Sequence, residues 1–443
     1  MILKAKNLLS LLKSKSSFFK ENIWVIFTEY LWLFGVFIIS VLYSRFYGAD
    51  ALGVFSYGTA ISQIVILGLG SAFSNLIMRD VGTNSKLNEV YLKKVLQIRG
   101  VILLFTLFIV VVIQYAFFSV TNTENLVFIL ILIIAKGLDA LCDTFYMVYL
   151  SLKIFKKYSY LKILHTGTTI LFVTFSCLLH YPILITYLVM LLSSLFFLVF
   201  NIYFFIRQRN EMNNIESPMV NSNFKIKTPD TITFRYLAKE IWPLLLSAVF
   251  FQVGTRINTL IIFGFMGSIS VGVYSSGLML ITCFTAAAPF MGIVLFPVLN
   301  RTFLENPDKL SKLILKAIPI IFMIGIAVMF VCYLGIPIAI KLMKNLPEYA
   351  VTIFTIMIWV IPFNYVIGII NSLFIIIQKQ KAGMVVTFVV MVVNIILMYT
   401  GVLYFQMDGV AIAFVASSIF QVALYVIVYF YLNNRSLQIK PGV

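Results

Sequence analysis

The sequence predicts an all-α integral membrane protein, and its composition and its long apolar runs are the observations that predict this class. Of its 443 residues, 61% are apolar and 11% are charged, whereas soluble domains carry about 25% charged residues. About twelve apolar runs reach the roughly 20 residues that one transmembrane helix needs. Runs such as Val101 to Tyr115 lack the alternating polarity of membrane β-strands, so the spans are predicted to be helices.

A repeated glycine motif predicts that these helices form two similar halves. The segment Gly48-Ala-Asp-Ala-Leu-Gly53-Val-Phe-Ser-Tyr-Gly58 resembles Gly267-Ser-Ile-Ser-Val-Gly272-Val-Tyr-Ser-Ser-Gly277, and Gly48 and Gly267 lie 219 positions apart in a chain of 443. We expect these glycines to permit tight turns and close helix contacts. The same offset aligns Gly70 with Pro289. Because interrupted segments at corresponding positions mark binding sites in membrane transporters, Gly70 and Pro289 are predicted hinges.

The helices are predicted to form two six-helix lobes related by a parallel repeat, with both termini in the cytoplasm. The predicted organisation is a cytoplasmic amphipathic N-terminus at 1–22, an N-lobe with helices 1–6 at 23–206, a cytoplasmic linker at 207–239, a C-lobe with helices 7–12 at 240–432 and a cytoplasmic tail at 433–443. Lysines among leucines and phenylalanines in the first segment favour a helix on an anionic membrane surface. The predicted helices begin near Trp24, Leu52, Val95, Leu126, Tyr160, Pro182, Ile241, Val271, Leu313, Ala350, Ala382 and Gly409.

The basic residues predict the orientation of these spans, because short loops rich in lysine and arginine stay in the cytoplasm. With the N-terminus inside, all but five of the 33 basic residues fall in predicted cytoplasmic segments, the exceptions being Arg45, Lys136, Arg256, Lys341 and Lys344. The net charge of +17 is therefore explained by topology. It does not indicate a nucleic-acid partner, and membrane lipids are the expected surroundings.

Charged side chains inside the predicted fourth helix are the first candidates for function, because each costs roughly 2.5 to 3.5 kcal/mol at a helix centre. Lys136, Asp139 and Asp143 lie at spacings of three and four, which put them on one helix face. Lys136 is expected to neutralise Asp139 and to leave Asp143 as the surplus carboxylate. Asp143 and then Asp139 are the predicted ion-coupling residues, and Glu29 in the first helix is a third candidate.

The predicted seventh helix offers a stripe that suits an anion. Gln252, Arg256 and Thr259 lie on one face, and the fork of donors on arginine suits phosphate recognition. The alternative is that Arg256 and the acids of the fourth helix form a structural ion pair between lobes. Lys136 and Arg45, the latter near the outer mouth, are further substrate-binding candidates. Asn75 and Asn371 are weaker ones, since helix-to-helix hydrogen bonds explain these asparagines equally well.

The remaining reactive side chains suggest no catalytic residue, no metal site and no cofactor. The cysteines Cys142, Cys177, Cys283 and Cys332 lie inside predicted spans without a CxxC or His-flanked spacing, so they are interpreted as apolar filler. His165 and His180 are isolated in the sequence and are interpreted as interfacial polar side chains.

The layout and one motif resemble a known family. Two lobes of six helices, the segment Arg45-Phe-Tyr-Gly48-Ala-Asp-Ala-Leu-Gly53-Val-Phe-Ser-Tyr and the Arg79-Asp80 that closes the second helix look like the bacterial polysaccharide flippases of the O-antigen, Wzx type. These belong to the multidrug/oligosaccharidyl-lipid/polysaccharide (MOP) exporter superfamily. The resemblance implies a V-shaped pair of lobes in the bacterial inner membrane that moves an undecaprenyl-diphosphate-linked oligosaccharide to the outer leaflet, alongside other polysaccharide-assembly proteins. The family's cationic cavity is reduced here to Arg256 as the unpaired cation in a predicted span.

Three other functions are considered. A drug/cation antiporter of the same superfamily would share the fold and differ in substrate. A lipid II flippase is a near neighbour, although two extra helices are common there and this chain lacks room for them. A membrane-embedded polysaccharide polymerase would need a sizeable loop carrying clustered acids or arginines, and the predicted outer loops are too short for one.

Overall fold

The described secondary structure is entirely helical. The computed structural model describes residues 2–64, 73–74, 76–78, 80–81, 84–117, 123–213, 232–288, 299, 302, 307–377 and 379–438. Its helices are α1 (Ile2–Ser62), α2 (Asn88–Phe117), α3 (Thr123–Ser151), α4 (Phe155–Leu178), α5 (Ile183–Asn213), α6 (Phe234–Thr285), α7 (Pro307–Leu342), α8 (Ala350–Met357), α9 (Val360–Ile376) and α10 (Gln380–Gln438). The predicted hinges Gly70 and Pro289 lie outside the described residues.

Eight helical stretches in the described part of the chain are long and apolar enough to cross a membrane. Three of them, Phe27–Ser62, Ala248–Thr285 and Lys381–Leu432, greatly exceed the roughly 20 residues of one span. Each contains one residue with non-helical backbone angles, namely Gly48, Gly267 and Gln406. The all-α membrane class is thus confirmed, while the count of twelve spans and the cytoplasmic position of both termini stay predictions.

The segments predicted to lie between and before the spans are partly helical. Residues 2–22 are helical and continuous with the first apolar stretch of α1. The predicted linker at 207–239 is helical at both ends, because α5 continues to Asn213 and α6 already begins at Phe234.

The chain divides into two compact units. Unit 1 comprises Met1–Ile39 and Val65–Leu245, and unit 2 comprises Ser40–Ile64 and Leu246–Val443. In unit 1, α3 packs against α2, α4 and α5, around a core that includes Tyr91, Tyr149 and Phe197. In unit 2, α9 packs against both α7 and α10.

One face of α2 is apolar and exposed. Val101, Leu104, Phe105 and Phe108 are each 60–69% exposed, and their spacing of three and four places them on one stripe. Such a stripe suits contact with lipid tails, since a soluble protein rarely exposes so large an apolar patch.

Unit 2 contains both copies of the glycine motif, and the two copies adopt the same backbone conformation. Gly48 has φ 89° and ψ 173°, and Gly267 has φ 79° and ψ −177°. This region of backbone space is essentially open to glycine alone. The two glycines therefore turn the chain between consecutive helical segments, as the sequence predicts for tight turns.

The second glycine of each copy lies against the backbone of the other copy. A Cβ atom on Gly53 would stand 1.8 Å from the carbonyl oxygen of Ser268, and one on Gly272 would stand 2.1 Å from the carbonyl oxygen of Ala49. The contact is reciprocal, because an offset of 219 carries Ala49 to Ser268 and Gly53 to Gly272. The Ser268 hydroxyl also donates to the carboxylate of Asp50. The predicted role of these glycines in close helix contact is confirmed.

Candidate functional site

Unit 1 buries a cluster of charged and polar side chains centred on Asp139. Lys136 and Asp139 lie three residues apart on α3, and the Lys136 ammonium is 3.0 Å from Asp139 Oδ2. On α5, the Ser194 hydroxyl donates to Asp139 Oδ1 over 2.5 Å. On α4, His165 Nε2 lies 3.4 Å from the same oxygen. Both carboxylate oxygens thus have partners, as a buried charge requires, and the predicted pairing of Lys136 with Asp139 is present.

The second ring nitrogen of His165, Nδ1, also has a hydrogen-bond partner. The Tyr146 hydroxyl lies 3.2 Å from His165 Nδ1, and Asn201 Nδ2 donates to the Tyr146 hydroxyl over 3.3 Å. The imidazole also stacks on the ring of Phe197 with centroids 4.6 Å apart. His165 is therefore not isolated, because three helices pack it among polar partners, while its interfacial position stays a prediction.

Asp143 lies one turn beyond Asp139 on α3 and is less fully engaged. Among the residues that the structure describes, it makes no hydrogen bond, and Arg99 and Lys162 are its electrostatic counter-charges. Arg99 is 3% exposed and donates to the carbonyl of Ala140 and, over 2.7 Å, to the Thr144 hydroxyl. Asp143 is thus a half-buried carboxylate with free lone pairs, which suits it to accept a proton or a cation.

The predicted ion-coupling residue Glu29 belongs to the same unit but to a different pair. The Lys162 ammonium lies 2.6 Å from Glu29 Oε1, with the lysine side chain 13% exposed. The Tyr158 hydroxyl also donates to Glu29, and Lys162 lies over the Tyr158 ring at 5.5 Å. Lys162, assigned to a cytoplasmic segment by its sequence position, is therefore largely buried against a carboxylate of α1.

Unit 2 holds a second polar group around Arg256 on α6. Arg256 is half-buried, and its Nε atom is buried with no hydrogen-bond partner among the described residues. Gln252 is half-buried on the preceding turn and Thr259 is 3% exposed on the following one. The predicted stripe of Gln252, Arg256 and Thr259 therefore exists on α6.

A buried amide network lies beside Arg256, and the sequence did not indicate it. Asn394 on α10 donates over 2.8 Å to both the Gly254 carbonyl and the Asn258 side-chain oxygen. Asn258 in turn donates to the Tyr274 hydroxyl over 3.2 Å, and Tyr274 is the electrostatic neighbour of Arg256. Because Asn258 and Asn394 lie 136 positions apart, no local spacing could reveal their contact.

Among the remaining substrate-binding candidates, Lys136 lies in the unit 1 cluster, whereas the described contacts bring Arg45, Asn75 and Asn371 into neither cluster. Arg45 has an exposed side chain, and its backbone carbonyl accepts a hydrogen bond from Asn345 Nδ2 at 3.3 Å. Asn371 lies on α9, but its side chain is outside the described part. Asn75 is likewise outside the described residues.

A signal for the unit 1 cluster was present in the sequence of α4. Tyr158, Lys162, His165 and Thr169 follow one another at spacings of four, three and four, which form one polar stripe on a helix. The Thr169 hydroxyl meets the Ser193 hydroxyl of α5 at 2.8 Å. A polar stripe on an apolar helix indicates a buried partner surface, and this stripe would have identified His165.

Solved transporter structures share this fold. The chain superposes on an inward-facing MATE family multidrug resistance transporter of the MOP superfamily with a TM-score of 0.68, 16% identity and coverage of 95% of this chain and 96% of that one. The lipid II flippase MurJ in an inward closed conformation superposes with a TM-score of 0.65 and 16% identity, over 94% of this chain and 90% of that one. A MOP superfamily transporter from Pyrococcus furiosus, described as having a binding pocket of reverse polarity, superposes with a TM-score of 0.62 and 16% identity. This superposition covers 94% of this chain and 95% of that one.

Comparisons of the sequence do not narrow the family or the substrate beyond this fold. No protein-family profile matches the chain, and no curated protein matches it. At 16% identity these structures show similarity in fold alone. This similarity covers nearly the whole length of each chain. The chain has the fold of the MOP superfamily transporters.

Proposed function

We propose that this chain is a flippase that moves an undecaprenyl-diphosphate-linked oligosaccharide from the cytoplasmic to the outer leaflet by alternating access. The observation that carries the proposal is Arg256, a half-buried arginine on an apolar helix whose side chain makes no hydrogen bond in the described part of the chain. An unpartnered arginine donor is costly in such surroundings, so a ligand that supplies oxygen lone pairs is expected there. A diphosphate matches the planar fork of donors.

The roles of the other candidates follow from their chemistry. Gln252 and Thr259 flank Arg256 on one stripe and can bind the remaining phosphate or sugar oxygens. Arg45, Asn75 and Asn371 are assigned weaker substrate contacts. Asp143 is proposed as the ion-coupling residue, because its carboxylate has free lone pairs and two counter-charges. Lys136 is proposed to hold Asp139 ionised, and Glu29 is proposed to contribute through Lys162.

The proposed setting is the bacterial cytoplasmic membrane. Twelve spans with both termini in the cytoplasm would explain the distribution of basic residues along the chain. The surface glycan could be O-antigen, capsule or a similar polymer, and other polysaccharide-assembly proteins would be the partners. The driving force would be a gradient of protons or Na⁺.

The leaflet distribution of the lipid-linked repeat unit tests this proposal. In a strain that lacks the gene, we expect the units to accumulate in the cytoplasmic leaflet, and a plasmid copy should restore their transfer. Impermeant periodate oxidation of intact spheroplasts separates the two leaflets, because only glycans on the outer side react. If the units reach the outer leaflet at the normal rate without the gene, the flippase assignment is wrong.

A drug/cation antiporter is the second candidate, and Asp143 is the observation that favours it. A half-buried carboxylate without a hydrogen bond in the described part of the chain could bind an organic cation as well as a proton. In that case loss of the gene would sensitise cells to cationic dyes and leave surface glycans intact. The same deletion strain thus distinguishes the two functions.

A further inference from the structure

The contacts around His165 favour one position for its ring proton. Asn201 Nδ2 donates to the carbonyl of Phe197 over 2.7 Å, and a carbonyl can only accept, so this contact fixes the orientation of the amide. The second N–H of the same group then donates to the Tyr146 hydroxyl. Since the Tyr146 oxygen accepts that bond, its own O–H is free to donate to His165 Nδ1.

An imidazole that accepts at Nδ1 carries its proton at Nε2. In unit 1 this Nε2–H faces Asp139 Oδ1 at 3.4 Å. The opposite tautomer would turn a lone pair toward a carboxylate that already accepts from Lys136 and Ser194, which is unfavourable. The contact with Asp139 therefore favours the neutral tautomer with its proton on Nε2. This tautomer is compatible with a hydrogen bond from Tyr146 to Nδ1 and leaves Nδ1 as the basic site.

The charges near His165 balance when its imidazole is neutral. The cations of the network are matched by an equal number of carboxylates, so one added proton gives the cluster a net positive charge. Asp139 and Asp143 both interact electrostatically with the ring. The titratable groups that surround it are Glu29 on α1, Arg99 on α2, Lys136, Asp139, Cys142, Asp143 and Tyr146 on α3, and Tyr158 and Lys162 on α4.

We propose that His165 is a second protonation site of unit 1, which takes its proton at Nδ1 by reversing the hydrogen bond with Tyr146. The proton binds the Nδ1 lone pair, and the new N–H donates to the Tyr146 oxygen. Tyr146 keeps the bond from Asn201, and its own O–H turns away. The imidazolium then pairs with Asp139, so that one proton changes contacts on α3, α4 and α5 together.

This inference rests on the proposed function only for its role in coupling. A proton held at His165 leaves the cluster with the same excess charge as a proton held at Asp143, so the two sites compete for one proton. Release from either site restores the balance. His165 would therefore add a second protonation step to a coupling mechanism otherwise assigned to Asp143.

The chain has two histidines, which makes a direct test possible. His180 is exposed at the turn between α4 and α5, so His180→Gln should keep the fold and leave His165 as the single histidine. In the ¹⁵N-labelled protein in nanodiscs, we expect the Nε2–H tautomer at high pH and a doubly protonated ring at low pH. Tyr146→Phe should mix the tautomers. A ring that stays neutral from about pH 5 to 8, or that carries its proton on Nδ1, overturns the proposal.

A transport measurement tests the coupling role. Proteoliposomes with a fluorescent undecaprenyl-diphosphate-linked monosaccharide should show a rate that changes at least about fivefold across pH 5 to 8. In His165→Gln, which keeps hydrogen-bonding groups but cannot be protonated, the change should fall below about twofold, while His180→Gln should match the native protein. Equal pH profiles for His165→Gln and His180→Gln would overturn the coupling role. Absence of transport by the native protein, with an intact NMR titration, would refute the flippase assignment and leave the protonation site standing.

Discussion

At the scale of single residues, Arg256 and the Lys136–Asp139 pair differ in how their charges are satisfied. Arg256 has a buried Nε without a partner among the described residues, whereas Asp139 accepts from Lys136 and Ser194 and has His165 Nε2 3.4 Å away. Arg256 is the proposed ligand-binding arginine, whereas Asp139 is held by several donors and contributes to the structure. A substitution of Arg256 should therefore impair ligand binding, whereas a substitution of Asp139 should lower the stability of the fold.

Arg256→Ala is expected to abolish complementation of a flippase-deficient strain, because it removes the proposed diphosphate ligand. Arg256→Lys should keep part of the activity, since a lysine supplies the charge without the planar fork. Complementation can be measured from the amount of surface glycan at matched protein levels. Arg207→Ala is the matched control, since Arg207 is exposed on α5. Full activity of Arg256→Ala would remove Arg256 from the mechanism.

Asp139→Asn is expected to lower stability by about 3 kcal/mol, because it leaves the ammonium of Lys136 unpaired in unit 1. The double variant Lys136→Met with Asp139→Asn should recover most of this loss, since it removes both charges. Thermal unfolding in detergent would measure the effect. The control is Lys157→Met, whose partner Glu211 is 74% exposed, and it should cost less than about 1 kcal/mol. A double variant no more stable than Asp139→Asn would contradict the pairing.

At the scale of helices, the reciprocal glycine contact is the feature most sensitive to a single methyl group. Gly53 meets the backbone of Ser268 rather than the tip of a side chain. A backbone carbonyl cannot move aside without shifting its helix, so the contact tolerates no side chain at this position. Gly264, on the same helix α6 as Ser268, has open space around it and provides the comparison.

Gly53→Ala is expected to destabilise the protein by about 3 kcal/mol or more through overpacking. Gly264→Ala should be neutral or stabilising by up to about 1 kcal/mol, because alanine favours helix over glycine. Melting temperatures of the two variants in the same detergent provide the comparison. Equal melting temperatures would show that the backbone crossing at Gly53 is not part of the folded state.

The helices also show which parts of the structure local sequence could predict. The Lys136–Asp139 pair and the stripe of Gln252, Arg256 and Thr259 follow from spacing on one helix, and both were predicted. The bonds of Asp139 to Ser194 and His165 join different helices, and nothing in local spacing specifies which helix faces which. The glycine turns were predicted from their motif, but their reciprocal contact depends on packing between distant segments.

At the scale of the whole molecule, the positive-inside rule predicts which surfaces face the cytoplasm. Lys156 is exposed just inside α4, and Lys344 is exposed just beyond the end of α7. In a variant with all four cysteines replaced, a membrane-impermeant maleimide added to intact spheroplasts should label Lys344→Cys and not Lys156→Cys. The native cysteines are buried or half-buried, so their replacement is expected to be tolerated. Labelling in the reverse pattern would invert the predicted topology.

Ion coupling is also a property of the whole molecule. A tenfold proton gradient contributes about 1.4 kcal/mol for each coupled proton, enough for about tenfold accumulation of substrate. Asp143→Asn should equilibrate the fluorescent lipid-linked monosaccharide between leaflets but lose this accumulation, because the amide cannot take up a proton. Glu211→Gln, at an exposed carboxylate, is the control. Undiminished accumulation by Asp143→Asn would exclude Asp143 as the coupling site.

The reciprocal glycine contact also bears on how the molecule could have arisen. A contact in which each copy of a segment presents the same residues to the other has the form of an isologous dimer interface. A half-length chain with only the first motif would carry both halves of this contact, the glycine at position 53 and the backbone at Ala49. Two such half-length chains could therefore meet through a two-fold axis, with each chain presenting its glycine to the backbone of the other.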